Sequence, residues 1–247
     1  MKYNYFDYKN DKLPTYGLVA YFAYRKLSDD KKQILYALDQ IKSQIISCTE
    51  LYDNIEVAKE KMNWWIKEMN SIKNNKTVSS PQLKLLLNHF DKDLLYKNII
   101  NDITHSIENS SQTERDFSNH IKVNFIGIET LKALYLNNFK EVDKTIIEQI
   151  NKNNEIIRHI FCMPKHYYNQ IIFDKKILPN MSQNDFNNIC KAWLEEYKKI
   201  KANNALKPLR IMNKIHYKMM IKYLKKVKSP FKETLVFSPL TLLFYSI

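Results

Sequence analysis

Apolar residues recur along this chain at intervals of three and four, the spacing that places them on one face of a helix. From Ser28, two acids at 29 and 30 precede Ile34, Leu38, Ile41, Ile45 and Cys48. Ser28 reads as an N-cap, the acids as a first turn suited to the helix dipole, and the rest as a buried stripe. The same period predicts a helix over 55–72. A third helix opens at Ser80-Pro81, a cap followed by a proline whose missing N–H is unneeded in a first turn. It carries Leu83, Leu86, Leu87 and Phe90, and the pattern continues from Leu94 to Ile107. Ser111-Gln-Thr-Glu114 has the form of a capping box and predicts a helix bearing Phe117, Ile121, Phe125, Ile128 and Leu131. Ile146, Ile150, Ile157 and Ile160 mark another, and Pro164 and Pro179 bound a non-helical connector. Ser182-Gln-Asn-Asp185 is a capping box with Asp in last place, followed by Phe186, Ile189, Trp193 and Tyr197. Lys207-Pro208 opens the next helix, which stops before Ser229-Pro230. No segment alternates with period two and no stretch repeats. About ten helices with short links predict one all-α bundle spanning 1–247.

Composition supports this picture. Two glycines in 247 residues are too few for the turns of sheets or dinucleotide-binding folds. A hydrophobic fraction of 45% is that of a globular chain. Cys48, Cys162 and Cys190 lie far apart without a CxxC pair, which fits a reducing cytoplasm rather than a disulfide scaffold. The start, MKYNYFDYKNDK, lacks the apolar core of a secretory signal. No apolar run approaches the ~18 residues needed to cross a bilayer. The net charge of +13 leaves two readings open: an anionic partner, or a compositional bias in which Lys, Asn and Ile run high throughout. There is no GxGxxG and no GxxxxGK[ST]. Charge alone, without a motif, makes nucleic acid an unlikely partner.

Several segments carry a family likeness. Leu27-Ser-Asp-Asp-Lys-Lys-Gln-Ile-Leu-Tyr-Ala-Leu38 leads through Glu50 to a helix with Trp64-Trp65 and, three residues on, Glu68. Ser80-Pro81, Phe125-Ile-Gly127 with Leu131 and Leu134, Asn154-Glu-Ile-Ile-Arg158, and Phe173 through Asp185-Phe186 follow in order. Together they resemble the squalene/phytoene synthase family, most specifically from the LYAL helix to the Trp pair. The resemblance covers most of the chain and implies an isoprenoid-synthase-like helical bundle around a central cavity.

In that family, Mg²⁺ ions bridge allylic diphosphates to carboxylates of two DxxxD-type motifs on facing helices. Acids at i and i+4 share a helix face, and magnesium takes oxygen ligands. Here the first motif falls on Ile46-Ser-Cys-Thr-Glu50, where only Glu50 can ligate. The second falls on His159-Ile-Phe-Cys-Met163, without a carboxylate; His and Met are poor magnesium ligands. The phosphate segment that follows is altered to Lys165-His166-Tyr167-Tyr168. Ile171-Ile-Phe173 and Ser182–Phe186 are closer in pattern to the branch with degraded Asp motifs that includes respiratory complex I assembly factors. The resemblance therefore implies a non-catalytic binding or assembly factor with no cofactor and no catalytic residue. The alternative is an active prenyl-diphosphate-condensing transferase using Mg²⁺, Glu50 and further acids.

The resemblance places Asp39, Ser43, Glu50, Trp65, Asn154, Arg158 and His159 toward a cavity or ligand. Spacing alone favours a solvated face for the stripe of Asp39, Ser43, Ile46 and Glu50. Arg158 and His159 either complement a helix dipole or contact an anionic ligand. Trp64 and Trp65 cannot face the same way: either one packs in the core and the other lines a cavity or interface, or, the favoured reading, both are packing residues. Between Lys207 and Lys228 stand eight Lys and Arg and no acid. Lys207, Arg210, Lys214, Lys218, Lys222 and Lys225 share a stripe, while Met212, Ile215 and Met219 form another. Like charges along a helix repel. The stripe is either a lysine-coated solvent face or a contact with an anionic membrane surface through Lys214, Lys218 and Lys222. The expected partners are a protein or a lipid-like ligand, in the cytoplasm or peripheral at a membrane.

Overall fold

A computed structural model describes residues 19–51, 55–110, 123–168, 176–178, 180–195 and 204–247, apart from the side chains at 50, 51, 55, 109 and 110. All regular structure among these residues is helical. The α-helices are α1 (Val19–Tyr24), α2 (Asp29–Ile46), α3 (Ile55–Lys73), α4 (Pro81–Leu87), α5 (Lys92–Ser110) and α6 (Ile126–Leu136). They continue with α7 (Lys144–Phe161), α8 (Met163–Tyr168), α9 (Gln183–Glu195), α10 (Lys207–Lys226) and α11 (Pro239–Ser246). A π-helical turn, Ser47–Leu51, extends α2.

The helix ends show which local signals act. Ser80 caps α4 by accepting from the Leu83 amide at 3.3 Å, and Glu68 on α3 reaches across to accept from the amides of Ser79 and Ser80 at 2.8 and 2.7 Å. Ser182 and Asp185 form a working box: the Asp185 amide donates to Ser182 Oγ at 3.1 Å, and Ser182 Oγ donates to Asp185 Oδ2 at 2.6 Å. The shorter Asp reaches the Ser182 hydroxyl, where the Glu of a full capping box reaches the N-cap amide. Ser28 occupies the N-cap of α2, but its side chain accepts no capping hydrogen bond.

Two expected continuities are broken. The Leu83–Ile107 pattern is two helices, because Asp91 Oδ1 accepts from the amides of Asp93 and Leu94, both at 3.0 Å, and caps a new start. The stripe through Phe125 and Ile128 is also interrupted: Phe125 sits in the left-handed region at φ 60° and α6 begins after it. The expected capping box at 111–114, Phe117, Ile121, the Ile171–Phe173 segment, Pro179 and Tyr197 lie outside the described residues.

Buried apolar residues fall into two clusters that share helices. One gathers α1, α7, α8, α9, α10 and α11 around Ile157, Ile160, Phe186, Ile215 and Tyr223. The other gathers α3, α4 and α5 around Trp65, Met69, Leu83, Leu95 and Ile99. Helices α2 and α6 serve both: Leu35 and Ala133 point into the first, Leu38, Ile41, Ile128 and Leu131 into the second. The packing of α2 on α6, and of α6 on α7, makes a seam through the middle of the molecule. Gly127 lets α6 approach α5 closely, since a Cβ there would overlap the Asn98 carbonyl oxygen.

Candidate functional site

The seam carries charge. Three of its helices each present an acid and, three residues later, a base: Asp39 and Lys42 on α2, Glu129 and Lys132 on α6, Glu155 and Arg158 on α7. That spacing stacks the pair on one helix face, and all three faces converge. Lys42 Nζ lies 2.8 Å from Glu155 Oε1 and 3.2 Å from Glu129 Oε1. Lys132 Nζ lies 3.1 Å from Glu129 Oε1 and also pairs with Asp39. Arg158 grips Glu155 Oε2 through Nε at 3.0 Å and Nη2 at 2.7 Å. The Asn124 side chain donates to the same oxygen at 2.8 Å. All but Lys42 are buried, and Lys42 is nearly so.

Phe125 lies beneath this lattice, with Lys42 Nζ 5.0 Å and the Arg158 guanidinium 5.9 Å from its ring centre. Its left-handed backbone costs about 1–3 kcal/mol for a bulky residue. That conformation puts the ring under two desolvated cations, where cation–π attraction is strongest, while Asp102 accepts from the amides of Gly127 at 3.0 Å and Ile128 at 2.7 Å.

The electrostatics follow from the partners. Burial pushes the Glu155 carboxyl up, but Arg158 and Lys42 outweigh it and hold it at about 2. Burial likewise opposes ionisation of Glu129, and Lys132 and Lys42 bring it below the usual carboxylate range. For Lys132, burial is outweighed by Asp39 and Glu129, which hold the ammonium protonated. His216 on α10 is driven the other way, by burial and then by Lys42, to about 3, so it is neutral. The lattice sets three acids against three bases, although burial, outweighing Lys132, raises the Asp39 carboxyl above its ordinary value. Asp102 stands apart: burial lifts it to about 7 despite the two amides it accepts from.

A cavity of about 60 Å³ opens against this lattice, lined among others by Asp39, Lys42, Ser43, Ile46, Asn154 and Arg158. Glu129 Oε2 is buried there without a hydrogen-bond partner among the described residues. The space suits a few water molecules and falls well short of the roughly 300 Å³ of the smaller ligand pockets. On the far side, Asn154 Oδ1 accepts from Asn213 at 3.2 Å and lies 3.0 Å from His216 Nδ1, and Asn153 donates to Asn213 at 2.7 Å. These bonds tie α7 to α10.

The candidate positions separate as follows. Asp39, Ser43, Ile46, Asn154 and Arg158 are brought together on the cavity wall. Glu50 lies in the π-helical turn and its side chain is outside the described residues. Two positions do not face the cavity. Trp65 is packed among the apolar residues of the second cluster, while its neighbour Trp64 is 40% exposed. His159 is buried behind Arg158, whose Nη2 lies 2.7 Å from its Nε2, with its ring 5.2 Å from that of His166. Met163 is buried in the first apolar cluster. Lys214 is exposed, whereas Lys218 and Lys222 are half-buried over the rings of Tyr245 and Phe237.

Lys42, Glu129, Lys132 and Glu155 were missed by the sequence reading. The signal was present: Ile126–Leu136 is apolar on all sides except for Glu129, Thr130 and Lys132, and charges in an all-round apolar helix must be buried and paired. Among the described residues no group of three His, Cys, Asp or Glu side chains is arranged to hold a metal ion. No family model, curated protein or solved structure matches this chain.

Proposed function

We propose that the protein is a squalene/phytoene synthase-like bundle whose central site has become an internal salt-bridge lattice, and that it works as a non-catalytic binding or assembly factor. One observation carries this reading: the carboxylates facing the cavity are taken up by cations of the same chain. Where the family's fold would call for magnesium between facing helices, this chain puts the ammonium groups of Lys42 and Lys132, at 2.8–3.2 Å from Glu155 and Glu129. A divalent ion would have to displace them from a balanced cluster, and Ile46 offers the cavity an apolar side chain at a motif position. The residues present do not fit the metal.

The cavity's size supports the same reading, since about 60 Å³ cannot take an allylic diphosphate with its chain. An isoprenoid-synthase-like scaffold retained without its chemistry is useful for its outer surfaces, to a protein or a lipid-like partner. The test is incubation with farnesyl and geranylgeranyl diphosphates and Mg²⁺, followed by product analysis. We expect both substrates back intact. Magnesium-dependent formation of a condensed or cyclised hydrocarbon would overturn the reading.

A further inference from the structure

A larger concavity lies elsewhere, where α1 and the turn after it meet α10 and the end of α11. It is an open groove of about 550 Å³. Five cations line it, Arg25 and Lys26 from the turn, and Lys207, Arg210 and Lys214 from α10, and among the described residues no Asp or Glu side chain does. The spacing 207, 210, 214 sets three of them on one face of α10. The floor is apolar and aromatic, made by Phe22, Ile211 and Tyr217. The positive stripe continues past the groove to Lys218 and Lys222, which lean over Tyr245 and Phe237. Burial, and after it the nearby Lys214, lower the pKa of Lys218.

Beside these cations is an uncovered apolar edge. Leu240, Phe244 and Ile247 follow one another at intervals of four and three, with exposures of 58, 62 and 72%. Leu242, on the opposite face of α11, is fully buried and anchors the helix to the bundle. Ile247 also lines the groove, so the edge ends at its mouth. No helix among the described residues is long and apolar enough to cross a membrane.

We infer that this face is a docking surface for an anionic phospholipid bilayer: lipid phosphates enter the groove between Arg25, Lys26 and the α10 cations, while Leu240, Phe244 and Ile247 sink into the interface. Charge complementarity selects the occupant. Five convergent cations call for clustered anions, and an adjacent apolar edge calls for a partner with an apolar layer behind its charge. A bilayer leaflet supplies both at that spacing. The inference rests on the reading of a binding protein with a lipid-like partner, and it fails separately, since vesicle binding and turnover of prenyl diphosphates are independent measurements.

The test is co-sedimentation of the full chain with phosphatidylcholine vesicles, with and without phosphatidylglycerol. We expect binding only to the anionic vesicles, weakening as salt rises. Each cation near an anionic surface is worth about fivefold in partition, so K207Q/R210Q/K214Q lowers it about a hundredfold. L240S/F244S removes two exposed side chains, leaves the circular dichroism unchanged and lowers partition about tenfold or more. K67Q/K84Q/K97Q removes equal charge from α3, α4 and α5 and keeps most of the binding. Equal binding to neutral vesicles, an equal loss in the α3–α5 variant, or wild-type binding by L240S/F244S would overturn the inference. So would displacement of the protein by low concentrations of soluble inorganic phosphate, which would make the groove a site for a small anion instead.

Discussion

His216 shows how a single side chain is set by its surroundings. A histidine ordinarily titrates near neutrality, but here burial and two nearby ammonium groups depress it to about 3, and Asn154 holds its Nδ1. The folded protein therefore binds fewer protons at this site than the unfolded chain between about pH 6.5 and pH 3. The stability it contributes is complete above the unfolded pKa and is lost as pH falls through that window. We expect denaturant midpoints to fall on acidification from pH 6.5. In H216Q, which cannot protonate, that part of the slope should vanish. Parallel slopes for wild type and variant would show that His216 does not set the acid sensitivity.

At the scale of elements, the α5–α6 contact decides whether the lattice can assemble. Phe125 is held left-handed, Asp102 takes the first amides of α6, and Gly127 lets the two backbones touch. A methyl group at 127 would meet the Asn98 carbonyl and the Asp102 carboxylate. Backbone cannot yield as a flexible side chain does. G127A should cost about 1–3 kcal/mol or more, read as a lower midpoint in urea with helix content kept. The loss runs against intrinsic propensity, which favours alanine over glycine in a helix by up to about 1 kcal/mol. An unchanged or raised midpoint would mean α5 and α6 have room to part.

In the whole molecule, the two apolar clusters are joined by α2 and α6, and the lattice pins that junction to α7. Glu155 is its hub, in contact with Arg158, Lys42 and Asn124. E155Q keeps the shape but leaves the buried Arg158 without its carboxylate and Lys42 with Glu129 alone, a change that costs about 3–5 kcal/mol for a broken buried pair. We expect that loss in chemical denaturation, with hydrogen exchange accelerating in α2, α6 and α7 together because they share the partner. Acceleration confined to α7 would show that the lattice is local and does not join the halves.

The helices were legible in the sequence wherever the determinant is local. A stripe at helical spacing, a capping serine at 80 and a proline at 208 act within one or two turns, so reading them needs no neighbour. The breaks at Asp91 and Phe125 were harder. Asp91 was a readable cap overridden by the continuing apolar period, whereas the left-handed turn at Phe125 exists because Asp102, a distant residue, collects the amides after it. The site divides in the same way. Sequence alone places Asp39, Ser43 and Ile46 on one stripe and leaves open whether that stripe meets solvent or a cavity. It also contains three acid–base pairs at i and i+3, each by itself an ordinary helix-surface ion pair. Only the crossing of α2, α6 and α7 turns them into one lattice, because Coulomb attraction between groups 87 or 113 positions apart depends on distance in space. The basic stripe of α10 was likewise written in its spacing. That it becomes a groove, with Arg25 and Lys26 opposite and an apolar edge beside it, follows from how α1 and α11 pack, and packing is decided by surfaces meeting across the fold.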